Sequence, residues 1–188
     1  MKNIITLLPL LLLTTFAKAQ NDRSRFINAQ IGYGLSAPYH SVDEVVDDGF
    51  FVQGEYGGNI TSWLQTKGYL GLILTRAGME DLNGNPTNEG TESRAFLVGA
   101  KARLRAPIPW VSPYAEIGIG TSIGNFVTYT GFTNIRREGI VYHIPFSVGL
   151  LLGPKNSVDL GLMYYFQPDV EQYVGAFAVG LSIPLKNK

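Results

Sequence analysis

The chain contains no cysteine. Disulfides, thiolate catalysis and Cys-based metal sites are therefore excluded. It has two histidines, His40 and His143, so few pairs of a nucleophile and a base can be built. Formal net charge is zero, and no basic patch suits nucleic acid. After the N-terminal region no apolar run approaches the 18 residues that a membrane helix needs. Helical periodicity is almost nowhere to be found. These absences leave few classes of protein to consider.

The N-terminus carries Lys2 and then an apolar run from Ile4 to Phe16, broken only by Thr6, Pro9, Thr14 and Thr15. Ala17-Lys18-Ala19 follows as a small-x-small site. The run is too short to span a bilayer, and the pattern predicts a secretory signal over residues 1–19, cleaved before Gln20. Residues 20–188 are then expected to form one domain.

What the chain has in quantity is glycine (22 residues) and aromatic side chains (12 %). They fall into eight stretches that alternate apolar residues with small or polar ones. Ile27, Ala29, Ile31, Tyr33 and Leu35 share one parity, while Asn28, Gln30, Gly32, Gly34 and Ser36 share the other. A period of two is the strand period, because successive side chains point to opposite faces. The alternation predicts strands over 25–37, 50–61, 67–77, 93–105, 113–123, 139–152, 157–167 and 173–185. Short connections at 61–66, 106–112 and 153–156 alternate with connections at 38–49, 78–92, 124–138 and the brief 168–172. Such a chain is an up-and-down meander with two unlike ends.

The two phases decide which solvent the sheet faces. One phase is bulky and apolar (Leu70, Leu72 and Leu74, or Val158, Leu160 and Leu162) with no charge in mid-strand. The other holds Glu55, Lys67, Lys101, Arg103, Glu116, His143 and Asp159 amid many glycines. A soluble lipocalin-like barrel needs an apolar interior. Eight strands enclose a lumen only just wide enough for side chains to fill, so the small phase belongs inside and the bulky phase faces lipid. In lipid every strand edge must be paired, so the sheet closes. The fold class read here is all-β: a closed antiparallel eight-stranded transmembrane barrel. Trp63, Trp110, Tyr164 and Tyr173 fall near strand ends, where amphipathic rings meet the membrane interfaces.

On this pattern the chain resembles the small eight-stranded bacterial outer-membrane barrels, such as the OmpX and OmpW families and the transmembrane half of OmpA. The resemblance covers all of 20–188 and implies a cell outer-membrane location in a Gram-negative envelope. The last strand departs from it, ending Ile183-Pro184-Leu185 and then Lys186-Asn187-Lys188, where such proteins often end on an aromatic residue.

Three functional readings follow. The first is a lumenal charge network of Lys101, Arg103, Glu116 and Asp159, with Glu55 nearer the outer half; it would serve as a salt-bridged plug or as a narrow pore. Unpaired charge in a dry lumen is costly, so these groups are expected to pair. The second is a lipid A-modifying enzyme. His143 and Ser147 share a strand face but sit roughly 13 Å apart, too far for a base and its nucleophile. His40, Ser41 and Asp43 share the first long loop, and no His-x-Ser stands anywhere. No catalytic residue, metal or cofactor is expected. The third is interaction through the long loops, with Phe126, Tyr129, Phe132, Arg136 and Arg137 as candidate contacts. Expected partners are outer-membrane lipid, lipopolysaccharide and a protein met through the loops. A monomer is expected. Pro145, inside a strand and facing the lumen, predicts a bulge.

Overall fold

The computed structural model describes residues 24–78 and 80–185. The expected signal segment lies outside them. Eight strands form one closed antiparallel barrel in the order β1 to β8. They are β1 (Arg25–Pro38), β2 (Asp47–Asn59), β3 (Leu64–Arg76), β4 (Gly90–Arg105), β5 (Trp110–Tyr129), β6 (Asn134–Gly153), β7 (Val158–Gln167) and β8 (Gln172–Leu185). A single 3-10 turn, Pro168–Val170, stands between β7 and β8. β1 closes on β8 along its whole length, from Arg25↔Leu185 to Pro38↔Gln172. Within the barrel every strand therefore has two neighbours, which is what lipid requires of a sheet.

Side chains alternate across the wall as their period dictates. Ile27, Ile31, Leu70, Phe96, Ile117, Ile119, Leu181 and Ile183 are exposed on the outer face. Asn28, Gln53, Glu55, Lys67, Lys101, Arg103, Glu116 and Asp159 are buried in the lumen. The interior is tight. A Cβ built on Gly120 would overlap the Tyr69 hydroxyl and the His143 ring. Glycine is required there because the Tyr69 side chain from β3 and the His143 ring from the neighbouring β6 occupy its space.

The sequence reading is corrected at three places. The third long connection, expected over 124–138, is mostly strand, and only residues 130–133 remain as loop. β5 and β6 run 20 residues each and pair out to Tyr129↔Asn134. Phe126, expected as an exposed contact, lies inside β5 at 0 % exposure and packs in the core cluster. Its parity with Ser122 and Thr128 puts it on the inner face. Pro145 produces no bulge. Pairing between β5 and β6 lapses from Ile117↔Phe146 to Gly120↔His143, with the register unchanged on either side. The ring removes a donor without adding a residue to the strand.

Candidate functional site: a layered lumen and a latched outer end

The lumen is built in layers. Nearest the short turns, strands β2, β3, β4, β5 and β7 converge six ionisable side chains. Lys67 Nζ lies 2.5 Å from both Glu55 Oε2 and Glu116 Oε1. Arg103 Nε donates to Glu116, and Arg103 Nη2 donates to Asp159 Oδ2 at 2.8 Å. Lys101 Nζ stands 3.6 Å from Glu55 Oε1 and 3.8 Å from Glu116 Oε2. It also lies 4.7 Å from the Tyr69 ring centre, over its face. The three cations face three carboxylates, so the layer is neutral as well as buried.

Neutral groups complete it. Asn28 donates to Asp159 Oδ2 at 3.0 Å and to Glu55 Oε2 at 3.1 Å. The Tyr114 hydroxyl donates to Asp159 Oδ1 at 2.7 Å, and its ring lies under the Arg103 guanidinium at 3.8 Å. Gln53 donates to Glu55 Oε1 at 2.8 Å and accepts from the Tyr165 hydroxyl at 2.5 Å. A buried pair is tolerable when the remaining lone pairs find donors, and most of them do here.

The five residues expected to share a network lie in one layer, with one correction. Glu55 is not nearer the outer half: it bonds Lys67 directly, at the level of Glu116. Lys67 joins Glu55 to Glu116, a role that its in-strand parity only hinted at. Tyr114, Asn28 and Gln53 also went unnoticed, because their parity marks them as inward without saying what they meet.

Above the ionic layer lies an aromatic one. His143 Nδ1 is 2.7 Å from Ser122 Oγ, and its Nε2 is 2.5 Å from the Tyr69 hydroxyl. Serine and base thus come from adjacent strands rather than from one strand, and Ser147 is not the partner. The pair is fully enclosed, and Ser122 also accepts from Gln167 at 2.8 Å. Phe51, Ile73, Leu97, Phe126 and Val141 pack beyond it as a dry plug.

Carboxylates latch the outer end. Asp47 Oδ1 accepts from the Gly78 amide at 2.6 Å, and its Oδ2 accepts from the Thr91 amide at 2.5 Å. Glu89 accepts from the amides of Val42 and Asp43 at 2.9 Å and from Gly131 at 2.6 Å. One side chain thus ties three of the four outer connections together. Burial pushes the Glu89 carboxyl up, but those three N–H donors outweigh it and hold its pKa below the ordinary value. Of the other loop candidates, Phe132 (71 % exposed) and Tyr129 (49 %) stand free at the hairpin tip. Arg136 and Arg137 are exposed on β6, with Arg137 3.5 Å from Asp169. Trp63, Trp110 and Tyr164 are exposed near strand ends, and Tyr173 packs against Tyr39, Tyr164 and Phe166.

The model of the outer membrane protein beta-barrel domain family matches residues 5–165. The chain belongs to that family. It is an outer-membrane barrel, and its bulky apolar face is its lipid face. Among solved structures it is similar to Neisserial surface protein A, at 12 % identity and a TM-score of 0.57, over 85 % of this chain and 96 % of that one. It also matches the N-terminal barrel of Pseudomonas aeruginosa OprF (12 %, TM-score 0.49, 88 % and 100 %). The Yersinia pestis attachment invasion locus protein Ail matches as well (17 %, TM-score 0.49, 85 % and 98 %). Such identities speak to fold alone. No curated protein matches the chain.

Proposed function

We propose that this outer-membrane barrel neither catalyses nor conducts, and that it is a rigid stand presenting the β5–β6 hairpin to a protein partner outside the membrane. The observation that carries this reading is an unequal pairing. β6 pairs with β7 only as far as Ile144↔Phe166, yet it pairs with β5 out to Tyr129↔Asn134. From Asn134 to His143 no described strand pairs with its other edge. At ~3.3 Å per residue this is roughly 33 Å of one-sided strand.

A one-sided strand is a template for strand addition by another chain. Arg136 and Arg137 sit on it, and charge at an edge restrains indiscriminate pairing. With Phe132 and Tyr129 at the tip, the hairpin carries the aromatic and arginine anchors typical of interfaces. The lumen supports the same reading from below: a neutral ionic layer and a dry aromatic layer stand in series and fill it.

Photo-cross-linkers placed at Phe132 and Arg136 in intact cells test the role. Adducts to a discrete polypeptide are expected, and adducts to lipopolysaccharide alone would replace this reading with lipid packing. Planar-bilayer recording tests the seal. No steady single-channel steps are expected, and steps whose size changes in Glu116→Gln would overturn it.

A further inference from the structure

We propose that the ionic layer of the lumen holds one captive water molecule, bound between Lys101, Glu116 and Ser147. Lys101 Nζ, Glu116 Oε2 and Ser147 Oγ are buried, and among the described residues none of the three atoms has a hydrogen-bond partner. Each of these residues is at most 3 % exposed. A buried polar group without a partner is unfavourable and calls for one.

Register gathers the three. Glu116 on β5 stands opposite Ser147 on β6. Lys101 on β4 stands opposite Gly118, the next inward position of β5 after Glu116. Gly118 has no side chain to come between them.

The cations of the layer meet its carboxylates unequally. Lys67 Nζ lies 2.5 Å from Glu55 Oε2 and from Glu116 Oε1. Lys101 Nζ stays 3.6 Å from Glu55 Oε1 and 3.8 Å from Glu116 Oε2. A direct N–H···O bond spans about 2.7 to 3.2 Å. Opposite charges away from bulk solvent attract strongly, so a gap of this width between them marks a place for a bridging molecule. The Tyr69 and Tyr165 rings lie 4.7 and 5.5 Å from the ammonium. They favour its charge but offer its N–H donors no oxygen.

The chemistry of the three atoms selects the occupant. An ammonium only donates, a carboxylate only accepts, and a hydroxyl does both. A bare cation would stand against Lys101, and against Lys67 and Arg103 on the same carboxylate. A bare anion would meet Glu116 Oε2. A water accepts from Lys101, donates to Glu116 Oε2 and has a second hydrogen for Ser147 Oγ. Buried waters typically make about three hydrogen bonds, the number that these atoms supply. The Lys67 contacts are then direct and the Lys101–Glu116 contact is water-bridged. All three residues are enclosed, so the molecule exchanges only when the barrel opens, and bulk water stays out.

The test uses the whole barrel purified in detergent. A crystal structure at a resolution that shows ordered water is expected to place one density peak within hydrogen-bond distance of all three atoms. Oxygen-17 relaxation dispersion counts the waters that stay longer than those of the surface. The count is expected to fall by one in Ser147→Val, whose methyl groups take the space of the water and remove one of its partners. Heat-modifiable gel mobility checks that the variant is folded; if it is not, the density of the parental barrel decides alone. Direct contact of Lys101 Nζ with Glu116 Oε2, with no peak beside them and Ser147, overturns the proposal. So does a folded Ser147→Val with the parental count.

Discussion

The two halves of the lumen fill the same cylinder differently, one with charged pairs and the other with uncharged side chains. The half near the short turns holds Lys67, Lys101 and Arg103 against Glu55, Glu116 and Asp159. The half near the loops packs Phe51, Ile73, Leu97, Phe126 and Val141, with uncharged groups such as Ser36, Thr75, Thr91 and Gln172 buried and hydrogen-bonded around them. Both exclude solvent, but they fail differently. An ionic layer depends on every member, because removing one charge strands its partner in a dry place. An apolar layer degrades in proportion to the volume removed. The inner half is therefore expected to set the register and uniqueness of the barrel, while the outer half contributes graded stability.

The largest expected effect comes from breaking the ionic half. Glu116→Gln leaves Lys67 and Arg103 facing a neutral amide. The expected loss is about 3 to 5 kcal/mol, the scale for removing one partner of a buried pair. Urea unfolding in lipid vesicles, followed by gel mobility, measures it. A loss below 1 kcal/mol would mean that water enters the layer and that the lumen is not sealed there. On the apolar side, Leu97→Ala is expected to cost about 2 to 3 kcal/mol, as transfer and cavity contributions together. If Leu97→Ala proved the more damaging, the assignment of roles to the two halves would be reversed.

Sequence alone makes the inside-out character of the wall legible, because parity needs no knowledge of neighbours. Leu70, Phe96 and Ile117 could only face lipid once Lys67, Lys101 and Glu116 shared the opposite parity. What parity cannot supply is who meets whom across a closed cylinder. Ser122 and His143 come together only through the register of β5 on β6, so spacing within one strand, which offers only the distant Ser147, does not reveal the pair. Lys67 likewise bridges two carboxylates on non-adjacent strands, β2 and β5. Phe126 shows a different failure. Polar neighbours such as Asn125 and Thr128 make residues 124–138 resemble a loop, yet a strand leaving the membrane has no need of an apolar outer face. The alternation fades there while the pairing persists.

The smallest expected effect on global stability, and the sharpest on local order, concerns the outer end. Glu89 is the only tie shared by residues 42–43 and residue 131 among the described hydrogen bonds. Its carboxyl is held below the ordinary value of 4.5 because three amides donate to the ionised form. Such a group contributes stability that is fully present above pH 4.5 and is lost as pH falls through the lowered value. Limited proteolysis by an acid-tolerant protease is thus expected to spare the loops near neutrality and to cut them progressively once the pH falls below 4.5 and through the lowered value. Glu89→Gln retains one acceptor oxygen but loses the charge. Its loops are expected to be cut at neutral pH already, with little further change on acidification, while the unfolding midpoint of the barrel stays near the parental value. A parental cleavage profile in Glu89→Gln would move the latch to Asp47, whose contacts reach Gly78 and Thr91 but not the hairpin. The β5–β6 hairpin would then be anchored by its own ladder alone, and the outer end would join the apolar half of the lumen as a region that loosens by degrees.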